Sequence, residues 1–186
     1  MSLQEQQNFL ARLYTDAEIR RDFLAEPLKI GFENNLNENE IAEIELILPE
    51  EITFFAESLF WKRLREVEKM LPLTKEFSSK NFASLFREFS QDFNPQTIKK
   101  HLEDAIGFGN FLQTKEISEL SKSIAKFEKT KLEFFGFGKQ IAFCKLNFDL
   151  RNIQRRTINP QIRTFKKRTT IAVWLKIGNK IKHFIF

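Results

Sequence analysis

The stretch FFGFGKQIAFCKLNFDL, residues 134–150, holds the change of period that decides the fold. Before it, apolar residues recur at helical spacing. From Ile141 onward, Ala142, Cys144, Leu146, Phe148 and Leu150 alternate with Phe143, Lys145, Asn147 and Asp149. A period of two puts one set on a covered face and the other on the opposite face of a strand. A half-buried strand is therefore expected over 141–150. Downstream, TTIAVWLKIGNKIKHFIF (169–186) has two β-rich runs on either side of Gly178-Asn179, a two-residue hairpin signal. Such a turn pairs Trp174 with His183 and Val173 with Phe184. Two strands alone are marginal in water, so a small antiparallel sheet of three or four strands, packed on the rest of the chain, is expected.

Upstream the chain reads as helices. Asn8–Tyr14 is a short amphipathic turn. Thr15-Asp16-Ala17-Glu18 has capping-box spacing with Thr15 as the cap, and its helix should stop near Glu26, before Pro27. Asn37-Glu38-Asn39-Glu40 repeats that logic for a helix through Ile41, Ile44 and Leu48 that ends at Pro49. Between Glu50 and Leu71, Phe60, Leu64, Val67 and Leu71 form one stripe. Phe82, Leu85, Phe86, Phe89 and Phe93 form another beyond Pro72. Asn94-Pro95 is a helix-start signal, with Asn as cap and Pro at the first helical position, for a helix toward Leu112. A last helix, 115–135, buries Ile117, Leu120, Ile124 and Phe127. The fold class expected is α+β: an acidic helical part, residues 1–135, then a basic antiparallel sheet, residues 139–186.

Composition limits what the chain does. Its 186 residues, 42% hydrophobic and 30% charged, can bury a substantial core. Phe occurs 22 times against one Tyr and two Trp; a ring with no polar handle belongs in a core or against a partner. One cysteine, Cys144, precludes an intramolecular disulfide, and with the polar start MSLQEQQNF it fits a reducing cytoplasm. No apolar run approaches the roughly 20 residues that span a bilayer.

The net charge of +5 conceals a division. Residues 139–186 hold twelve Lys/Arg and one acid, Asp149, whereas residues 1–138 hold eighteen basic and twenty-four acidic side chains. The densest run is RRTINPQIRTFKKR (155–168), six cations and no acid. Arg155, Arg156, Arg163, Lys166, Lys167 and Arg168 lie between the first strand and the hairpin. Asn159-Pro160 marks a turn, and a strand Gln161–Phe165 is expected near a sheet edge. Lys176, Lys180 and Lys182 add charge at the hairpin. Like charges this close repel unless an anion or an acidic surface is near. Three uses compete: docking on the acidic part of the same chain, contact with DNA or RNA phosphates, or capture of an extended acidic peptide as an added strand.

Catalytic signatures are scarce. The sequence has no Walker loop, no GxGxxG after a strand, no HExxH and no GxSxG. His101 and Asp104 occupy neighbouring helix positions and read as a surface pair; two ligands do not make a metal site. His183 reads as a packing partner of Trp174, and Cys144 as a small buried hydrophobe. The two Gly-Phe-Gly triplets, 107–109 and 136–138, lack the Lys-Ser/Thr of a phosphate loop and read as a helix end and a hinge. No cofactor or metal is expected.

The run SLFWKRLREVEKMLPLTKEFSSKNFASLFREF, followed by NPQTIKKHLEDAIGFGNFL, orders its parts in a recognisable way. A helix with Arg63 and Val67 leads to Leu71-Pro72. Phe82 and Phe86 follow, then a polar turn, then a helix ending in Phe108 and Phe111-Leu112. Over residues 58–112 this resembles the HvfC-like family, whose usual label is DNA-binding domain. The resemblance implies an accessory protein that accompanies multinuclear iron-dependent oxidative enzymes acting on ribosomally made peptides. It implies a peptide or enzyme partner, or DNA, and supplies no catalytic residue. The expectation carried forward is a non-catalytic binding or adaptor protein whose basic sheet edge engages an acidic peptide or protein. The alternative is a DNA- or RNA-binding protein using the same side chains, and a third is a small enzyme acting through His101 and Asp104.

Overall fold

A computed structural model describes residues 3–78, 81–149 and 167–186. The fold is α+β: nine helices among the described residues, followed by a three-stranded antiparallel sheet. The chain divides into two compact units, Met1–Leu64 and Arg65–Phe186.

The first unit is helical, with α1 (Leu3–Thr15), α2 (Ala17–Ala25), α3 (Pro27–Glu33), α4 (Glu38–Glu45) and the first part of α5 (Pro49–Met70). Its core joins Phe9, Leu13, Phe23, Leu36, Ile41, Ile44 and Ile52. The α2 cap is Asp16, not Thr15: its carboxylate accepts from the N–H groups of Glu18 and Ile19, while Thr15 ends α1 and its hydroxyl donates to Ala11 O. The Asn37 capping box forms as expected, Asn37 Oδ1 accepting from Glu40 N at 3.0 Å and Glu40 Oε2 from Asn37 N at 2.8 Å. The helix it opens is shorter than expected, ending at Glu45 and leaving Leu48 exposed before α5. Pro27, Pro49 and Pro72 each begin a new helix, because a first-turn residue needs no N–H partner.

The second unit contains the end of α5, α6 (Pro72–Ser78), α7 (Phe82–Asp92), α8 (Lys100–Thr114), α9 (Glu119–Gly136) and strands β1 (Ile141–Phe148), β2 (Lys167–Ile177) and β3 (Lys180–Ile185). Four of the many phenylalanines account for the α7–α8 contact: Phe82, Phe86 and Phe89 pack on Phe108 with centroids 5.1, 5.3 and 5.6 Å away. The 107–109 triplet lies inside α8 rather than at its end. A Cβ on Gly107 would stand 2.9 Å from Phe89 Cζ and one on Gly109 2.9 Å from Lys129 Cβ, so both glycines let neighbouring helices close in. Helix α8 starts at Lys100, five residues beyond Pro95. The Glu103 carboxylate accepts from Gln96 N and Thr97 N, holding that segment outside the helix. Helix α9 likewise begins later than its apolar pattern suggests, with Ser118 as the cap.

The sheet order is β1-β2-β3. The Gly178-Asn179 hairpin forms with the expected register, Trp174 opposite His183 and Val173 opposite Phe184. Gly178 takes φ 58° at the first loop position, which a type II′ turn demands. Leu150 and the expected strand Gln161–Phe165 lie outside the described residues.

Candidate binding face of the C-terminal sheet

Strand β1 buries every second residue without exception: Ala142, Cys144, Leu146 and Phe148 inward, Ile141, Phe143, Lys145 and Asn147 outward. Register carries that division across the sheet. Ala142, Trp174 and His183 share one face, as do Cys144, Ala172 and Ile185. This inner face packs on Ile124, Phe127 and Phe134 of α9 and closes the core.

Among the described residues the outer face has no such cover. Phe143, Val173 and Phe184 form a row across all three strands; Ile141, Leu175 and Lys182 form the row on one side of it. On the other side, Lys145 pairs with Ile171, which exchanges backbone hydrogen bonds with Phe186. Phe143 is 72% exposed and Phe186 68%, with Ile141, Ile171 and Phe184 also exposed. An exposed apolar surface assembled from three strands is a mark of an interaction site, whereas scattered single residues are not. Its rim is cationic: Lys145, Lys180 and Lys182 are exposed, and no residue of β1, β2 or β3 is acidic.

Of the cations expected to form one site, the four that are described fall at two places. Lys167 and Arg168 open β2, whereas Lys180 and Lys182 follow the hairpin at the strand's far end. Ten residues of β-strand separate the two ends by on the order of 30 Å. Lys167 and Arg168 line an opening of about 360 Å³ with Glu119, Asn147, Phe148 and Thr169. Arg155, Arg156, Arg163 and Lys166 lie outside the described residues. The outer apolar face does not follow from the alternation alone, which puts Phe143 in the same phase as Lys145, Asn147 and Asp149. The signal was there: Ile141 and Phe143 are apolar residues in the phase that should meet water.

A second concavity, about 340 Å³, lies where α6, α9 and the hairpin meet, bounded by Pro72, Leu73, Glu76, Phe127, Glu128, Lys131, Trp174 and His183. Glu128 is buried and satisfied: it accepts from Leu73 N (3.0 Å), Thr74 N (2.8 Å) and Thr74 Oγ1 (2.7 Å). Burial pushes its pKa up, against the pull of those three donors. His183 is stacked on Trp174, and burial with the Lys131 charge holds its pKa down. The Cys144 thiol is 1% exposed and its pKa is raised by burial, which suppresses the thiolate.

His101 and Asp104 are not the surface pair expected. Asp104 is fully buried, and among the described residues the buried His101 Nδ1 has no hydrogen-bond partner. Helix α8, which carries both residues, packs on α7 and α9. Among the described residues no three His, Cys, Asp or Glu side chains are grouped to hold a metal, and no helix is long and apolar enough to cross a membrane. No protein-family model matches this sequence, and no curated protein matches it.

Proposed function

We propose that this chain is a non-catalytic binding or adaptor protein of the cytoplasm whose basic C-terminal sheet engages an acidic peptide or protein. The observation that carries the reading is the outer face, uncovered among the described residues, where the Phe143–Val173–Phe184 row stands among Lys145, Lys180 and Lys182 with no strand acid to neutralise them. Apolar contact supplies affinity at such a face, and a cationic rim supplies orientation and rate. Strand β3 is an edge of the sheet and carries Lys180 and Lys182, so an extended acidic segment has backbone groups to pair with beside those charges. The resemblance over residues 58–112 points to a peptide-modifying enzyme or its substrate as the partner class.

Nucleic acid is the second reading, favoured by the Lys167–Arg168 opening, whose Asn147 and Thr169 add hydrogen-bonding groups suited to phosphate. One titration separates the two. A fluorescent Glu-rich peptide with apolar residues and a fluorescent DNA duplex are each titrated with protein at about 50 and 200 mM salt. Phosphate contacts make duplex affinity fall by roughly 10³-fold over that range. Binding of the peptide, with weaker binding when its apolar residues become Ser, supports the acidic-partner reading. Tight duplex binding with no peptide binding overturns it.

A further inference from the structure

The first unit also exposes apolar side chains, at the α4–α5 turn, in the sequence ELILPEEITFF (45–55). Leu46 is 83% exposed and Phe54 75%, Leu48 is exposed with them, and Glu45, Glu50 and Glu51 are exposed among them. These side chains stand outside the unit's own core, which takes Ile52 from the same stretch and Ile44 from just before it. The unit around them is acidic: residues 1–64 hold thirteen acids and six bases, whereas residues 65–186 hold twelve acids and twenty-four bases. The chain thus presents one acidic apolar crest and one basic apolar face.

We propose that the crest of one copy seats on the outer sheet face of a second copy. Leu46, Leu48 and Phe54 meet the Phe143–Val173–Phe184 row, and Glu45, Glu50 and Glu51 face Lys145, Lys180 and Lys182. The argument is complementarity of two kinds at once. Each surface alone leaves large apolar side chains in water and like charges uncompensated, and each is what the other lacks. The contact joins two different patches, so it is heterologous and extends head to tail unless its rotation closes a ring. The inference rests on the reading of the sheet as a surface for an acidic partner and names that partner as the chain itself.

Sedimentation of the full-length chain tests it. The weight-average mass of the wild type is expected to rise with concentration and to drop at high salt, where the charge pairing is screened. Phe143→Thr removes the centre of the face, and Leu46→Gln/Phe54→Gln removes the crest; all three positions are exposed, so folding is retained. Each variant alone is expected to stay monomeric, while an equimolar mixture forms 1:1 dimers, because each supplies the surface the other has lost. A monomeric wild type at every concentration overturns the inference, as does a variant that still associates alone or a mixture that forms no dimer. The Glu-rich peptide titration, run on the same samples, separates two failures. A monomeric protein that binds the peptide loses only the self-association, and one that does neither loses the acidic-partner reading as well.

Discussion

The imidazole of His183 lies flat on the indole of Trp174, with ring centroids 4.9 Å apart and planes within 8° of parallel. Burial first, and the Lys131 charge second, disfavour its protonated form and hold its pKa below 6.5. As pH falls from 6.5, the unfolded chain therefore takes up this proton before the folded one. The stability His183 contributes is complete above 6.5 and declines from there down to its folded pKa. His183→Phe keeps a flat ring on Trp174 and removes the titration. Thermal unfolding followed between pH 7.5 and 5.5 is expected to show a shallower loss of Tm for the variant than for wild type, and equal slopes would disprove the linkage.

Glu128 ties α9 to the start of α6 through three donors, two of them backbone N–H groups. Removing the carboxylate leaves those donors without an acceptor, although it also relieves the burial of a charge. The orphaned donors outweigh the relief, since each unsatisfied buried group costs about 1–3 kcal/mol. Glu128→Ala is expected to lower stability by about 3 kcal/mol, measured as the fall in urea-unfolding free energy. A loss below about 1 kcal/mol would mean that water replaces the carboxylate from the adjoining concavity.

Much of this fold was legible in the sequence, and the parts that were not have physical reasons. The alternation in β1 and the Gly178-Asn179 turn fixed the register of Trp174 with His183, because strand period and turn length leave one answer. The Asn37 box was readable because both of its partners lie within four residues. The α8 start was not: Asn94-Pro95 is a sound local signal, but the Glu103 carboxylate folds back on Gln96 and Thr97 and overrides it. Nor was the burial of Asp104, since a lone acid on a helix reads as solvated until the packing of α7 and α9 around it is known. Lys167 and Arg168 were grouped with Lys180 and Lys182 by charge alone, which does not count the strand between them: the two pairs lie at opposite ends of the sheet.

Gly109 sets two effects against each other. In a helix interior Ala is favoured over Gly by about 1 kcal/mol. Here an added Cβ would stand 2.9 Å from Lys129 Cβ, an atom fixed to the α9 backbone and unable to swing away. Overpacking costs about 1–3 kcal/mol, so Gly109→Ala is expected to be destabilising despite its better propensity. Denaturant titration of the variant decides the sign: a rise in the unfolding midpoint would show that α8 and α9 separate at little cost.

On the outer face the expected separation is between stability and binding. Phe143 is 72% exposed and sits on strand β1, and Thr suits a strand as well as Phe does. Phe143→Thr should leave the unfolding free energy within about 0.5 kcal/mol of wild type. Binding of the Glu-rich apolar peptide should weaken by about tenfold or more, the loss of roughly 1.4 kcal/mol or more expected when a buried ring is taken from an interface. Lys180→Glu/Lys182→Glu acts on the same surface through charge, so its effect should shrink as salt is raised. The Phe143→Thr effect should persist, because burying an apolar ring does not depend on the screening of charge. If salt removes both effects equally, the face binds by charge alone and the Phe143–Val173–Phe184 row has no part in it.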